Sequence, residues 1–481
     1  MNMRKLVAFA AILAGSLAVG CGGSSAVTNP AKDASGKGIT DSKGNTVSVE
    51  AANKFKSGLQ AIAQHDKAND WTEATCQSTA DIFLTAAKEQ GDKTFSEALY
   101  NVGLAYQRCK KDADAKKAFE EVLQKDPKFH PARVQVALYN FAASGEKDID
   151  RAISEMRQAA VVDAQYKNVE ALVHLALLYM RRGNSVADND GPNDFQRAKR
   201  YIQSALAVDD AFMPAFNQLA IYYLETAKQK AGRSAGKRTA SLSGAKEKKV
   251  ETQALELAHL VCSQAIRKNP KYAPIFNTFG MIYVELGNLN NAVNSFNAAR
   301  NLDPSFFEAQ MNYAAVNMQF RGFKQAEDAY RGALKIRPND YDAHLGLALS
   351  LRGQIDDSNF DKMVSAAGSE LEAAKKIAPE RAETYYNEAI LTQEYKAKAG
   401  GKEAEPFLLQ AKTLFGQFVQ KAGSAAEFSD AAKRAKERIE EIDQIIAFNR
   451  QTAEEQKKAE AEAKQLAAEQ EAAAAATGEP Q

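Results

Sequence analysis

The chain has 481 residues, is 45% hydrophobic and 26% charged, and sits within one unit of neutrality, with 62 Lys+Arg against 61 Asp+Glu. That apolar content excludes wholesale disorder, and a mean hydropathy of −0.42 excludes a polytopic membrane protein. The near-zero charge gives no whole-chain basis for nucleic-acid binding.

At the start, Arg4 and Lys5 precede an uncharged apolar run over residues 6–19, too short to cross a bilayer comfortably. It ends in Leu17-Ala18-Val19-Gly20-Cys21. This resembles a bacterial lipoprotein signal, although Ala18 stands where Leu is commoner; an ordinary secretory signal is the alternative. Residues 1–20 are then a signal peptide and Cys21 the lipidated N-terminus. The resemblance implies three acyl chains, palmitate among them, which make a stable anchor. Gly22 in place of Asp implies the outer membrane, with the protein on its periplasmic face. Residues 21–50, rich in Gly, Ser, Thr, Asn and Lys, read as a flexible tether. About 30 such residues span roughly 30 Å.

The body, residues 51–421, reads as a repeat array. Pro270, Pro304 and Pro338 follow one another at spacings of 34, behind Asn269, Asp303 and Arg337. Over 273–306, Phe276, Phe279-Gly280 and Tyr283 fall on a first helix, and Ala292, Phe296 and Ala299 on a second. Over 96–129 the same places hold Leu99, Val102-Gly103, Tyr106, Ala115, Phe119 and Val122, closed by Asp126-Pro127. Residues 307–340 repeat the pattern with Ala314, Ala326, Tyr330 and Ala333. The period and the residues resemble the tetratricopeptide repeat (TPR). The resemblance implies an all-α fold, a right-handed TPR superhelix of helical hairpins. The glycines and alanines are expected to let paired helices touch backbone to backbone. The aromatics at Phe119, Phe296 and Tyr330 are expected to fill the space between hairpins.

Degenerate units fill the gaps, for about nine hairpins in all. A polar insertion lies near 183–194 and a basic one at 228–249. Residues 422–448 read as a capping helix, which a solenoid needs at its open end. The Ala/Glu/Lys-rich tail, 449–481, reads as a frayed helix or disorder.

Catalytic motifs are missing. His65, His130, His174, His259 and His344 fall in different units without ligand spacing, so no metal site, cofactor or catalytic residue is expected. The stretch 232–237 looks like a phosphate loop but is one residue short and follows no strand, so it reads as a flexible loop. Cys262 reads as a buried thiol. Cys76 and Cys109 stand where antiparallel helices bring two ends together; they read either as a disulfide, which the periplasm allows, or as two separate thiols.

In TPR arrays the first helices line a groove. The resemblance places Tyr100, Val173, Asn217, Asn277, Met311 and Leu345 there at the fifth place of each unit. It places Leu104, Leu177, Ile221, Met281, Ala315 and Leu349 at the ninth. These residues either pack between neighbouring first helices or receive an amphipathic helix or extended peptide of another envelope protein. Asn217 and Asn277 are candidates to hold a peptide backbone. The basic fifth-place residues of chaperone-tail-binding TPRs are missing. The basic loop holds Lys228, Lys230, Arg233, Lys237, Arg238, Lys246, Lys248 and Lys249 against Glu247. It is either a solvated loop or a contact for an acidic partner, cell-wall polymer or anionic headgroup.

The layout of lipobox, long Ala-rich array and charged tail resembles TPR lipoproteins of adventurous gliding-motility machineries. It implies a non-enzymatic scaffold of an envelope machine. A type IV pilus pilotin-like factor, a regulator of peptidoglycan synthases or hydrolases, and an envelope-polymer enzyme are the alternatives.

Overall fold

The structure, a computed structural model, describes residues 31–32, 39–41, 43–68, 70–145, 147–161, 168–237 and 244–477. The signal peptide, Cys21 and Arg238 lie outside the described residues. No helix of the described residues is long and apolar enough to cross a membrane. The chain divides at 316/317 into two compact units.

The first unit opens with a minimal antiparallel pair, β1 (Ala31–Lys32) and β2 (Ile39–Thr40). Helices follow in sequence: α1 (Val49–Ala68), α2 (Glu73–Glu89), α3 (Ser96–Arg108), α4 (Asp112–Lys125), α5 (His130–Ala143) and α6 (Ile149–Ala160). Then come α7 (Val169–Arg182), α8 (Asp194–Val208), α9 (Met213–Lys237), α10 (Gly244–Lys268), α11 (Ala273–Glu285) and α12 (Leu289–Leu302). They pack as antiparallel hairpins from α1/α2 to α11/α12. The boundary falls in α13 (Phe307–Gln319).

The regular hairpin has a 13-residue first helix and a 14-residue second, as in α3/α4 and α11/α12. Asp126 (ψ 83°) and Asp303 (ψ 94°) end their second helices outside the helical region, because the proline behind each disfavours helical ψ. The Asp303 carboxylate then accepts from Ser305 N at 2.9 Å and Ser305 Oγ at 2.6 Å, holding the turn. Asp126 accepts from Ser96 Oγ at 2.7 Å, tying a turn to the start of its own repeat.

Where backbone-to-backbone contact is expected at the hairpin glycines, the nearest neighbour is an aromatic ring. Gly103 faces the Phe119 ring, Gly280 the Phe296 ring, and in the first hairpin Gly58 the Phe83 ring. Each glycine accommodates an aromatic side chain from its own hairpin, so the close approach is ring on Cα. The Phe119 ring also lies 6.3 Å from Tyr139 on the next hairpin, which keeps part of the expected inter-hairpin role.

The described residues of two segments read as loops take up defined structure. Residues 40–41 and 43–48, expected to be tether, dock on the repeat. The Asp41 carboxylate is buried and accepts from Asn45 N at 2.7 Å. Val47 is buried, and Ser48 N donates to Gln90 Oε1 at 2.8 Å. The basic insertion at 228–249 is helical over most of its length: α9 runs through Lys237, which absorbs the phosphate-loop lookalike, and α10 begins at Gly244. Its alanines and lysines are good helix formers and extend both helices of the hairpin.

The insertion at 183–194 is a locked loop. Gly183 ends α7 in the left-handed region (φ 64°). Arg197 on α8 is 1% exposed and fills the loop. It donates to Asp194 Oδ1 at 2.6 Å, Asp188 Oδ1 at 2.8 Å, Val186 O at 2.8 Å and Gly191 O at 2.9 Å.

The second unit carries the end of α13, then α14 (Phe323–Ile336), α15 (Tyr341–Arg352), α16 (Phe360–Ile377), α17 (Ala382–Leu391), α18 (Glu405–Ala422) and α19 (Ser429–Thr477). A π-turn, Thr392–Lys396, extends α17. Gly346 on α15 takes the Tyr330 ring of α14. Helix α19 is 49 residues long and covers α18 with Ala435, Ile442 and Ile446. It continues unbroken past 449, where the sequence places the start of a separate tail; beyond the Arg450–Glu405 ion pair (2.5 Å) its described side chains are almost all exposed.

Candidate functional site

The first helices of the first unit are joined by side-chain ladders. On α3, Gln107 Nε2 donates to Gln135 Oε1 of α5 at 2.9 Å. Gln135 Nε2 donates in turn to Glu170 Oε1 of α7 at 3.2 Å. Further along, Thr278 Oγ1 of α11 donates to Asn217 Oδ1 of α9 at 2.7 Å, and Asn312 Nδ2 of α13 donates to Asn277 Oδ1 at 2.9 Å. Asn217 and Asn277, expected to hold a partner's backbone, therefore have their amide oxygens engaged by neighbouring repeats.

The twelve groove positions divide in two. Tyr100, Leu104, Val173, Asn277, Met281 and Leu345 are buried, whereas Leu177, Asn217, Ile221, Met311, Ala315 and Leu349 are half-buried. Tyr100 packs 5.2 Å from the Phe119 ring and 5.5 Å from Phe129, so it serves the core. The half-buried set is what a partner could touch.

Glu170 and Gln135 were missed in the sequence. The available signal was an acid in the otherwise apolar α7, Val-Glu-Ala-Leu-Val-His-Leu-Ala-Leu-Leu. Burial raises the Glu170 carboxyl to about 7, against a lowering by the Gln135 hydrogen bond. His174, one turn on, lies 4.0 Å from Glu170 Oε1; burial lowers its imidazole to about 4, so it is neutral at pH 7.

Cys76 and Cys109 form a disulfide with Cα atoms 6.3 Å apart, joining α2 to the end of α3. Cys262 is a buried free thiol, its pKa pushed up by burial. In the basic segment, Lys228 pairs with Glu225 at 3.2 Å and lies 4.0 Å from Glu285, while Lys230 is exposed. Arg233, Lys237, Lys246, Lys248 and Lys249 lie on the helical backbone of α9 and α10. Among the described residues no three His, Cys, Asp or Glu side chains gather as a metal site.

Two family models for the tetratricopeptide repeat match, at residues 96–129 and 273–306. A stretch of 97 residues is 27% identical to the Hsp70-Hsp90 organizing protein of Triticum aestivum; the match covers 20% of this chain and 16% of the relative's length. Among solved structures, a thermophilic TPR protein of Thermus thermophilus is 22% identical over 46% of this chain and 99% of its own (TM-score 0.37). Pseudomonas aeruginosa pilF is 16% identical over 54% and 98% (TM-score 0.37). Human IFIT1 is 16% identical over 83% of each chain (TM-score 0.47). The two matched units coincide with α3/α4 and α11/α12 and the turns that follow them: this chain carries tetratricopeptide repeats, folded as serial helical hairpins.

Proposed function

We propose that this protein is a non-enzymatic scaffold that binds other envelope proteins through the first helices of its TPR array. The observation that carries the reading is the serial hairpin architecture, which leaves apolar side chains such as Leu177, Ile221, Met311 and Leu349 half-buried on first helices. Within one unit, apolar side chains repeated on successive first helices suit an extended peptide or an amphipathic helix. The name of the wheat relative describes an organiser of other proteins; we carry over the organising role and not its partners.

The array is held at the outer membrane, on its periplasmic side, by lipid on Cys21. The lipobox-like stretch supports this anchor, and the Cys76–Cys109 disulfide suits an oxidising compartment. The machine it serves is a gliding-motility complex, a reading that rests on the resemblance in sequence layout. Metabolic labelling with an alkyne-palmitate analogue tests the anchor: label on the wild type and none on Cys21→Ser is expected. A motility assay on the deletion strain tests the machine; unchanged gliding speed would remove that assignment.

A further inference from the structure

We infer that the face where Gln107, Gln135 and Glu170 meet receives one cationic side chain, Lys or Arg, from an extended partner polypeptide. The inference rests on the reading of the array as protein-binding.

The ladder across α3, α5 and α7 has a direction. Each glutamine donates its N–H toward Glu170, so the carboxylate is the terminal acceptor. It receives one hydrogen bond, on Oε1. Among the described residues no Lys or Arg pairs with it, and the neighbouring His174 is neutral. Arg108 on α3 is engaged by Asp66 of α1, at 2.8 and 3.0 Å. A partly desolvated carboxylate without a counter-charge is costly, and an incoming ammonium or guanidinium reduces that cost.

A second observation points to the same place. The Tyr100 hydroxyl is fully buried within the field of Glu170, and Gln135 is its one hydrogen-bonding neighbour. A cation at Glu170 supplies several N–H donors, where a neutral or anionic group would leave the acid uncompensated. The site is reachable, since Glu170 keeps 24% of its side-chain surface and His174 keeps 19%. Leu177 lies two helical turns beyond Glu170 on the same face and is half-buried, a contact for the residue that flanks the base. The groove chemistry is then the reverse of a basic clamp for a partner's C-terminal carboxylate.

The test is selection of random dodecapeptides, displayed on phage, against the detergent-solubilised full chain. The expected peptides share a Lys or Arg at one position. Glu170→Gln, which keeps shape and hydrogen-bond acceptance, should weaken their Kd by about tenfold or more. Replacing the peptide's base by norleucine should weaken it equally, and the two changes together should cost little more than either alone. Glu73→Gln, at an acid 81% exposed on α2, is the control and leaves Kd unchanged. Peptides without a fixed base, or peptides that bind Glu170→Gln equally well, overturn the inference and leave the scaffold reading standing. Recovery of no binding peptide overturns both.

Discussion

The Phe119 ring of α4 lies directly on Gly103 of α3, where any side chain would enter the ring's space. The relationship recurs at Gly280 and Phe296, where an added Cβ would stand 2.5 Å from Phe296 Cε1. Gly103→Ala should therefore destabilise the protein by about 1–3 kcal/mol through overpacking, despite alanine's better helix propensity. Urea unfolding followed by circular dichroism checks this. Phe119→Leu in the same background should recover part of the loss.

The Cys76–Cys109 bridge closes a loop of 33 residues. Chain-entropy arithmetic for that length gives about 3–4 kcal/mol of stabilisation. Reduction, or the double change to serine, should lower the denaturant midpoint accordingly. Mass spectrometry of native protein treated with a maleimide, without reductant, should find neither cysteine modified.

Arg197 and Asp194 are both 1% exposed and bonded at 2.6 Å. Arg197→Ala should cost about 3–5 kcal/mol, because it empties the space the side chain fills and leaves the carbonyls of Val186 and Gly191 without their donor, although Arg182 still pairs with Asp194 at 2.7 Å. Arg197→Ala/Asp194→Ala should be at least as damaging as the single change, since it also removes the acceptor of Arg182 and of Asn184 N. Arg197→Lys should not restore stability, since one ammonium cannot reproduce the planar fork. Thermal unfolding of the three variants measures the difference.

The two titrating groups of α7 oppose each other in pH. Glu170 is raised from 4.5 to about 7, so its contribution to stability is most favourable below pH 4.5 and is lost as pH rises through 7. His174 is lowered from 6.5 to about 4, so its contribution is present above pH 6.5 and is lost as pH falls through 4. Glu170→Gln should thus be more stable than wild type above pH 7, by about 1–3 kcal/mol, with the gap closing toward pH 4.5. A pH series of urea midpoints reads it.

Much of the fold is legible in the sequence because its determinants are local. A proline every 34 residues forces its predecessor out of the helical region, so Asp303 and Arg337 end helices wherever the rest of the chain goes. Glycine and aromatic residues at fixed places mark the paired helices, although which atoms meet at Gly103 depends on the packed ring. Other features needed distant partners. Residues 43–48 look like linker until Gln90 and Asp126 supply contacts for Ser48 and Lys43. The lysines of 228–249 look like a loop, yet helix propensity carries α9 to Lys237. The Gln107–Gln135–Glu170 ladder joins three repeats, and no one repeat's pattern contains it.

Site-specific photo-crosslinking in living cells tests most directly whether the first-helix face binds protein. A benzophenone side chain replacing Leu177, half-buried on α7, should yield a discrete adduct of defined mass. The same probe replacing Gln203, exposed on the second helix α8, should not. Adducts from both positions alike, or from neither, would contradict a scaffold that works through its first helices.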